Sequence, residues 1–411
     1  MASATNSQTS LNWLNFFVAA LQTGFGPFIP VFLAGAGWTP REIGFALSVG
    51  SFTAMASQLP AGALVDAMHD KRLAAGLAIL GVGASALLLA VWPSHAAVLV
   101  AEALHGFASC IITPAIASMT LAIVGHGAFG ERVGTNTRYA AIGAAAAALL
   151  LGGAGWWIAD RGPLLMTALL TIPTLGAVAS VRVLRPRETP RDDEHPACLH
   201  PRVRRESGAR IWRVFTEHGL IAFLGCAALY AVADAAILPF ALTRLDRENG
   251  GGSSFVVAAA IIIPQLVSAA LAPWLGRVAQ SRGRRSVLLL GFAALPLRGL
   301  LVAILPGVVP LLAVQSLDGI SGAVFGVMIP LLAADLTRRH GGLNVTMAAM
   351  SLAIGLGATF STSFAGLIVQ YLGTEAALLA LAGCGLCAVA LLWWVMPETR
   401  PAPPAAVAQP A

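Results

Sequence analysis

Long apolar stretches, each followed by a short polar interruption, run along almost the whole chain. Runs of about 20 apolar residues recur, the length that crosses ~30 Å of hydrocarbon at 1.5 Å per residue. Twelve such spans are expected: 11–34, 43–65, 73–92, 97–124, 136–158 and 164–183, then 218–242, 255–275, 286–305, 310–333, 344–371 and 376–396. The ten-residue alternation of a membrane β-barrel is absent. The expected fold class is therefore an all-α membrane protein with twelve transmembrane helices. Short turns such as Asp160-Arg161-Gly162-Pro163 join several spans, so neighbours pair as antiparallel hairpins. No basic residue precedes Arg41, so the first span is expected to be a membrane helix and not a cleavable leader.

Composition sharpens this picture. Of 411 residues 57% are hydrophobic and only 11% are charged, with a mean hydropathy of +0.79. An average soluble domain carries roughly 25% charged residues, so a soluble enzyme, a disordered chain and a coiled coil are all excluded. The net charge of +6 points to no nucleic acid, because its placement follows the loops. The loops 66–72, 125–138, 182–213, 276–285, 334–342 and the tail after 396 hold 20 Lys and Arg residues. The opposite loops hold 4. That bias puts the first set and both termini in the cytoplasm. The Arg-rich, Ala-rich usage is that of a GC-rich bacterium, so the expected location is the bacterial inner membrane. Lys71 is the only lysine and lies between Asp70 and Arg72, so no Walker A loop is present. Cys384 and Cys387 sit in an apolar run without further ligands, and no metal site or cofactor is expected.

The chain reads as two weakly similar halves: residues 1–183, a cytoplasmic linker at 184–213, residues 214–396, and a cytoplasmic tail at 397–411. Gln22 to Phe28 aligns with Asp234 to Phe240 at an offset of 212, and Ile142-Gly143 aligns with Ile354-Gly355 at the same offset. A parallel repeat of six spans is a transporter architecture with its substrate site between the halves.

The loop after span two reads Gly62-Ala63-Leu64-Val65-Asp66-Ala67-Met68-His69-Asp70-Lys71-Arg72. Its counterpart in the second half ends Gln280-Ser281-Arg282-Gly283-Arg284-Arg285. Both resemble the G-x-L-a-D-r-x-G-r-k loop of the major facilitator superfamily, and the resemblance covers essentially the whole chain. It implies a cytoplasmic gate built from Gly62, Asp66, Lys71, Arg72, Gly283, Arg284 and Arg285. Asp66 is expected to accept hydrogen bonds from Arg and from free amides at a neighbouring helix N-terminus. Pro27-Phe28-Ile29-Pro30 looks like the P-x-x-P of twelve-span exporters in that family. Two departures stand beside it: span five has no Pro, and the family's span-four Arg is Glu102 here.

Ionisable residues within a membrane are costly, so each is a functional candidate. The resemblance places spans one, four, seven and ten around the cavity. Glu102 and His105, one turn apart on span four, are expected to handle protons. Asp234 on span seven is expected to meet a cationic substrate group. Gln22, Tyr230, Gln265, Gln315 and Asp318 complete the expected substrate cavity, with Asn15 adding a hydrogen-bonding group. Arg298 on span nine and Asp318 on span ten lie at one depth of a hairpin, which suggests a structural ion pair. An intramembrane protease is excluded: Gly319-Ile320-Ser321-Gly322 has only His340 beyond it, in a loop. The reading is a secondary transporter whose partners are a small-molecule substrate, protons and the lipid bilayer. It is expected to export a partly apolar molecule; import of a small polar metabolite is the alternative.

Overall fold

The computed structural model of the chain describes residues 2–25, 29, 32–33, 36–38, 40–157, 161–181, 218–249, 254–337 and 342–396. The linker with Cys198, the prolines and Phe28 of the P-x-x-P stretch, His340 and the tail lie outside the described residues. Every element among those described is a helix: α1 Ala2–Thr23, α2 Pro40–Ala67, α3 Lys71–Val91, α4 His95–Trp157, α5 Gly162–Ser180 and α6 His218–Asp234. Then follow α7 Ile237–Asn249, α8 Ser254–Arg282, α9 Arg284–Ile304, α10 Val308–Thr337, α11 Leu343–Leu372 and α12 Thr374–Val395. Spans one, two, three and six fall on α1, α2, α3 and α5. Spans eight to twelve fall on α8 to α12, and span seven is divided between α6 and α7.

Among the described residues nine helical stretches are long and apolar enough to cross a membrane. One of them, His95–Leu151, has 57 residues and supplies spans four and five. The first two spans are not among the nine. Helix α1 mixes Ser7, Asn12 and Asn15 into its apolar run, and α2 mixes in Ser51, Thr53 and Gln58. Their apolar faces are nonetheless buried at Leu11, Leu14, Leu21, Ala61 and Val65.

The loop expected at 125–138 is instead helical. The break is confined to Gly125, whose φ of 68° is open to glycine at little cost. Beyond it Phe129, Arg132 and Val133 are buried, so packing holds the segment in helical form. The charges at Arg132 and Arg138 had suggested a polar connection.

Two large clusters of buried apolar side chains form the core, with a small third one at Ala20, Ala147 and Leu151. One draws on residues between Leu11 and Val181. The other draws on residues between Leu220 and Met396, together with Ala117, Phe129 and Val133. The two meet along a pair of crossings, α2 against α11 and the second leg of α4 against α8. Small residues permit both. A Cβ on Gly62 would stand 2.6 Å from the Asn344 carbonyl oxygen, and one on Gly134 would stand 2.4 Å from that of Ala272. A Cβ on Gly276 would stand 2.3 Å from the Gly130 oxygen.

Candidate transport cavity and gate

The end of the bundle that holds the turn between α2 and α3 also holds the turn between α10 and α11. Gly342, with φ 87°, precedes helix α11 and offers it no side-chain cap. Asp66, from the other half, supplies one. Its Oδ1 accepts from Asn344 Nδ2 at 2.6 Å, and its Oδ2 accepts from the Val345 amide at 3.1 Å. The positive end of α11 faces this carboxylate. Ser118 of span four donates to Asn344 Oδ1 at 2.9 Å, so Asn344 links three spans across the halves. Asn344 had no signature in the sequence beyond lying two residues after Gly342.

The other expected gate residues share this end and bond within their own halves. Lys71 Nζ donates to the carbonyls of Val65, Asp66 and Met68, closing the last turn of α2. Arg72 reaches the Ala179 carbonyl at 2.9 Å. Gly283, φ 107°, opens α9. Arg284 pairs with Asp335 at 2.8 Å, both side chains almost fully buried. Arg285 donates to the Trp393 carbonyl and lies 5.1 Å over its ring. Neither Arg284 nor Arg285 bonds to Asp66, whose carboxylate accepts hydrogen bonds only from the Asn344 and Val345 amides and the Asn344 side chain among the described residues.

This arrangement makes a prediction. Loss of one N-cap acceptor costs about 1 kcal/mol, roughly a fivefold change in a two-state balance. Asp66→Ala is expected to speed thiol labelling of a cysteine placed at the buried Ala348 by about that factor, in a background without other cysteines. Unchanged labelling would show that Asp66 does not hold this end closed.

Above the crossings lie two adjoining cavities. One of about 320 Å³ is bounded by spans one, four, five and ten, with Asn15, Gln22, Thr113, Thr120, Asn136 and Thr137 as its polar lining. Val18, Ile116 and Val133 add apolar wall. The other, about 300 Å³, is lined by Gln265, Ser268 and Asp318 among others. The two share Ala19, Thr137 and Ala140. Of the expected cavity residues, Gln22, Gln265 and Asp318 line one or the other. Tyr230, Gln315 and Asp234 line neither. Tyr230 is buried against Phe292 and Phe325, ring centroids 4.9 and 4.5 Å away. Gln315 accepts from Arg298 Nη2 at 3.1 Å.

Asp234, expected to meet a cationic substrate group, meets a cation of the protein itself. Arg298 Nη1 lies 2.6 Å from Asp234 Oδ1 and 2.7 Å from Asp318 Oδ1. One guanidinium, 3% exposed, thus bridges two carboxylates whose side chains are 30% and 27% exposed. The expected pair of Arg298 with Asp318 is present and gains a third member. Asp234 ends α6, where span seven breaks, and the Ala236 amide beyond donates to Ser361 Oγ at 3.2 Å.

Glu102 is buried, and no cation pairs with it among the described residues. A Cβ on Gly50 would lie 2.3 Å from Glu102 Oε2, so the carboxyl fits only because span two carries glycine there. Its Oε1 has no hydrogen-bond partner. The His105 ring stacks on Phe25 at 3.7 Å with a 7° angle, and its Nε2 is also without a partner. The two side chains do not bond to each other. Gly50 carried no warning in the sequence, and neither did Arg132.

The family model for the Major Facilitator Superfamily matches residues 11–247 and again 223–411. The uncharacterised MFS-type transporter Rv2456c of Mycobacterium tuberculosis is 32% identical over 400 residues, covering 95% of this chain and 93% of that protein. Among solved structures, the human organic anion transporter MFSD10 superposes with a TM-score of 0.71 at 16% identity, covering 95% of this chain and 99% of that one. FucP, solved in the outward conformation, gives 0.69 at 15% identity with the same coverage. The repeated loop, the paired crossings and the matched length lead to one conclusion: this chain belongs to the Major Facilitator Superfamily.

Proposed function

We propose that this secondary transporter exports a small, partly apolar molecule in exchange for protons, by alternating access at the two adjoining cavities. The observation that carries the proton part is Glu102: a buried carboxyl on span four, without a cation and with one oxygen unpartnered. A charged carboxylate in that setting is costly, so the group is suited to carry a proton while dry and release it when wetted. The cavities fit a small ligand by size, and their walls mix Val, Ile and Ala with amides and hydroxyls. The Asp234, Arg298 and Asp318 cluster supports recognition of a cationic group.

The 20-to-4 bias of basic residues supports a cytoplasmic position for the latched end and both termini, in a bacterial inner membrane. The cavities are then offered to the outside, the state in which FucP was solved. Residues 1–183 and 214–396 would be the two rocking units, joined by the linker. The polar lining at Asn15, Gln22 and Asn136 favours the second reading, import of a polar metabolite.

Membrane vesicles decide between the two. Inside-out vesicles containing the protein, given a cell extract and an acidic lumen, are expected to accumulate at least one metabolite, and a protonophore is expected to stop this. Accumulation in right-side-out vesicles under an inward gradient would establish import instead. Indifference to the protonophore would remove proton coupling from either reading.

A further inference from the structure

Arg132 lies in the second leg of α4 and is 8% exposed. Its Nε donates to Asn136 Oδ1 at 2.9 Å, and its Nη2 donates to Asn12 Oδ1. Both acceptors are neutral amides, and among the described residues no carboxylate pairs with this guanidinium. Asn136 passes the contact on, donating to Thr120 Oγ1 at 2.9 Å. Asn136 and Thr120 both line the 320 Å³ cavity. A buried, unbalanced positive charge therefore sits one side chain behind the cavity floor.

The adjoining cavity carries the opposite sign. Two carboxylates on the single Arg298 leave a formal charge of minus one, and Asp318 lines the adjoining 300 Å³ cavity. Each uncompensated charge is expensive in a low-dielectric interior. A ligand with one charge offsets one pole and leaves the other. A ligand with both charges offsets both at once.

We infer that the substrate is a small zwitterion, its anionic group lying toward Arg132 and its cationic group against Asp318. This rests on the reading of the two cavities as the substrate site. Arg132 acts through space and through Asn136, so it is a positioning residue for the anionic group. An apolar chain joining the two charged groups would meet Val18, Ile116 and Val133.

The test uses the full chain purified in detergent and matched probes whose charges stand apart: 6-aminohexanoate and 8-aminooctanoate, the amines made by removing their carboxylates, and the acids made by removing their amines. Thermal stabilisation by at least one amino acid is expected at a concentration at least tenfold lower than by its amine or its acid. Arg132→Gln keeps a hydrogen-bonding side chain and removes the charge, and should erase the preference over the amine. Arg132→Lys keeps the charge and should retain it. An amine as effective as its amino acid overturns the inference, as does the absence of stabilisation by either amino acid. A preference unmoved by Arg132→Gln also overturns it. Thr137→Trp fills the region shared by both cavities, and a shift that survives it would place binding elsewhere and sink the underlying site assignment instead.

Discussion

Glu102→Gln will leave substrate binding in place and abolish transport driven by the proton gradient. The substitution keeps the shape that fits against Gly50 and fixes the uncharged state. Downhill exchange of substrate needs no change of protonation and should survive. Uphill movement needs uptake of a proton from one side and release to the other, and should fall to background in vesicles. Gly50→Ala supplies an independent check, because its Cβ would stand 2.3 Å from Oε2 and must displace the carboxyl. It should lower gradient-driven transport while leaving Glu102 chemically intact. His105→Ala should act more mildly, since its ring packs on Phe25 and does not touch Glu102. Wild-type rate and pH dependence in Glu102→Gln would show that coupling lies elsewhere. The Asp234, Arg298 and Asp318 cluster would then be the next place to look.

Arg298→Ala is expected to cost about 3–5 kcal/mol of stability, the loss typical when one side of a buried ion pair is removed. The loss should exceed that of Asp234→Asn or Asp318→Asn alone, because it strands two carboxylates beside the unpartnered Gln315 amide nitrogen. Adding Asp234→Asn and Asp318→Asn to Arg298→Ala should recover much of it. Double-mutant cycles read by detergent-solubilised thermal unfolding measure this directly. Strict additivity of Arg298→Ala with either Asp substitution would show that the contact carries no energy.

The spans were legible because a bilayer imposes a length on every crossing, and length can be read residue by residue. The pairing of Arg298 with Asp318 was legible for a related reason: a hairpin sets both residues at one depth. Asp234 reaches the same guanidinium from span seven, a neighbour by packing and not by a short turn, and nothing local announces it. Arg132 looked like a topogenic loop charge. Only the helical course past Gly125 turns it inward, against Asn12 from 120 residues away. Asp66 as a cap for a distant helix was legible in kind, since a carboxylate at a helix end seeks free amides. Its specific partners, Asn344 and Val345, were not, because contact between α2 and α11 depends on how the two halves dock.

The turn at Gly125 ties two jobs to one piece of mechanism. A single residue reaches only about 3.8 Å between Cα atoms, so spans four and five have almost no slack where they join. Any slide of span five on span eight at the crossing of Gly130 and Gly134 with Gly276 would carry span four with it. Glu102 lies 23 residues up that helix, about 35 Å at 1.5 Å per residue, pressed against Gly50. A small tilt at the joined end would become a larger sideways displacement at the carboxyl, as with a lever, and a carboxyl seated on a bare glycine backbone has little slack to absorb it.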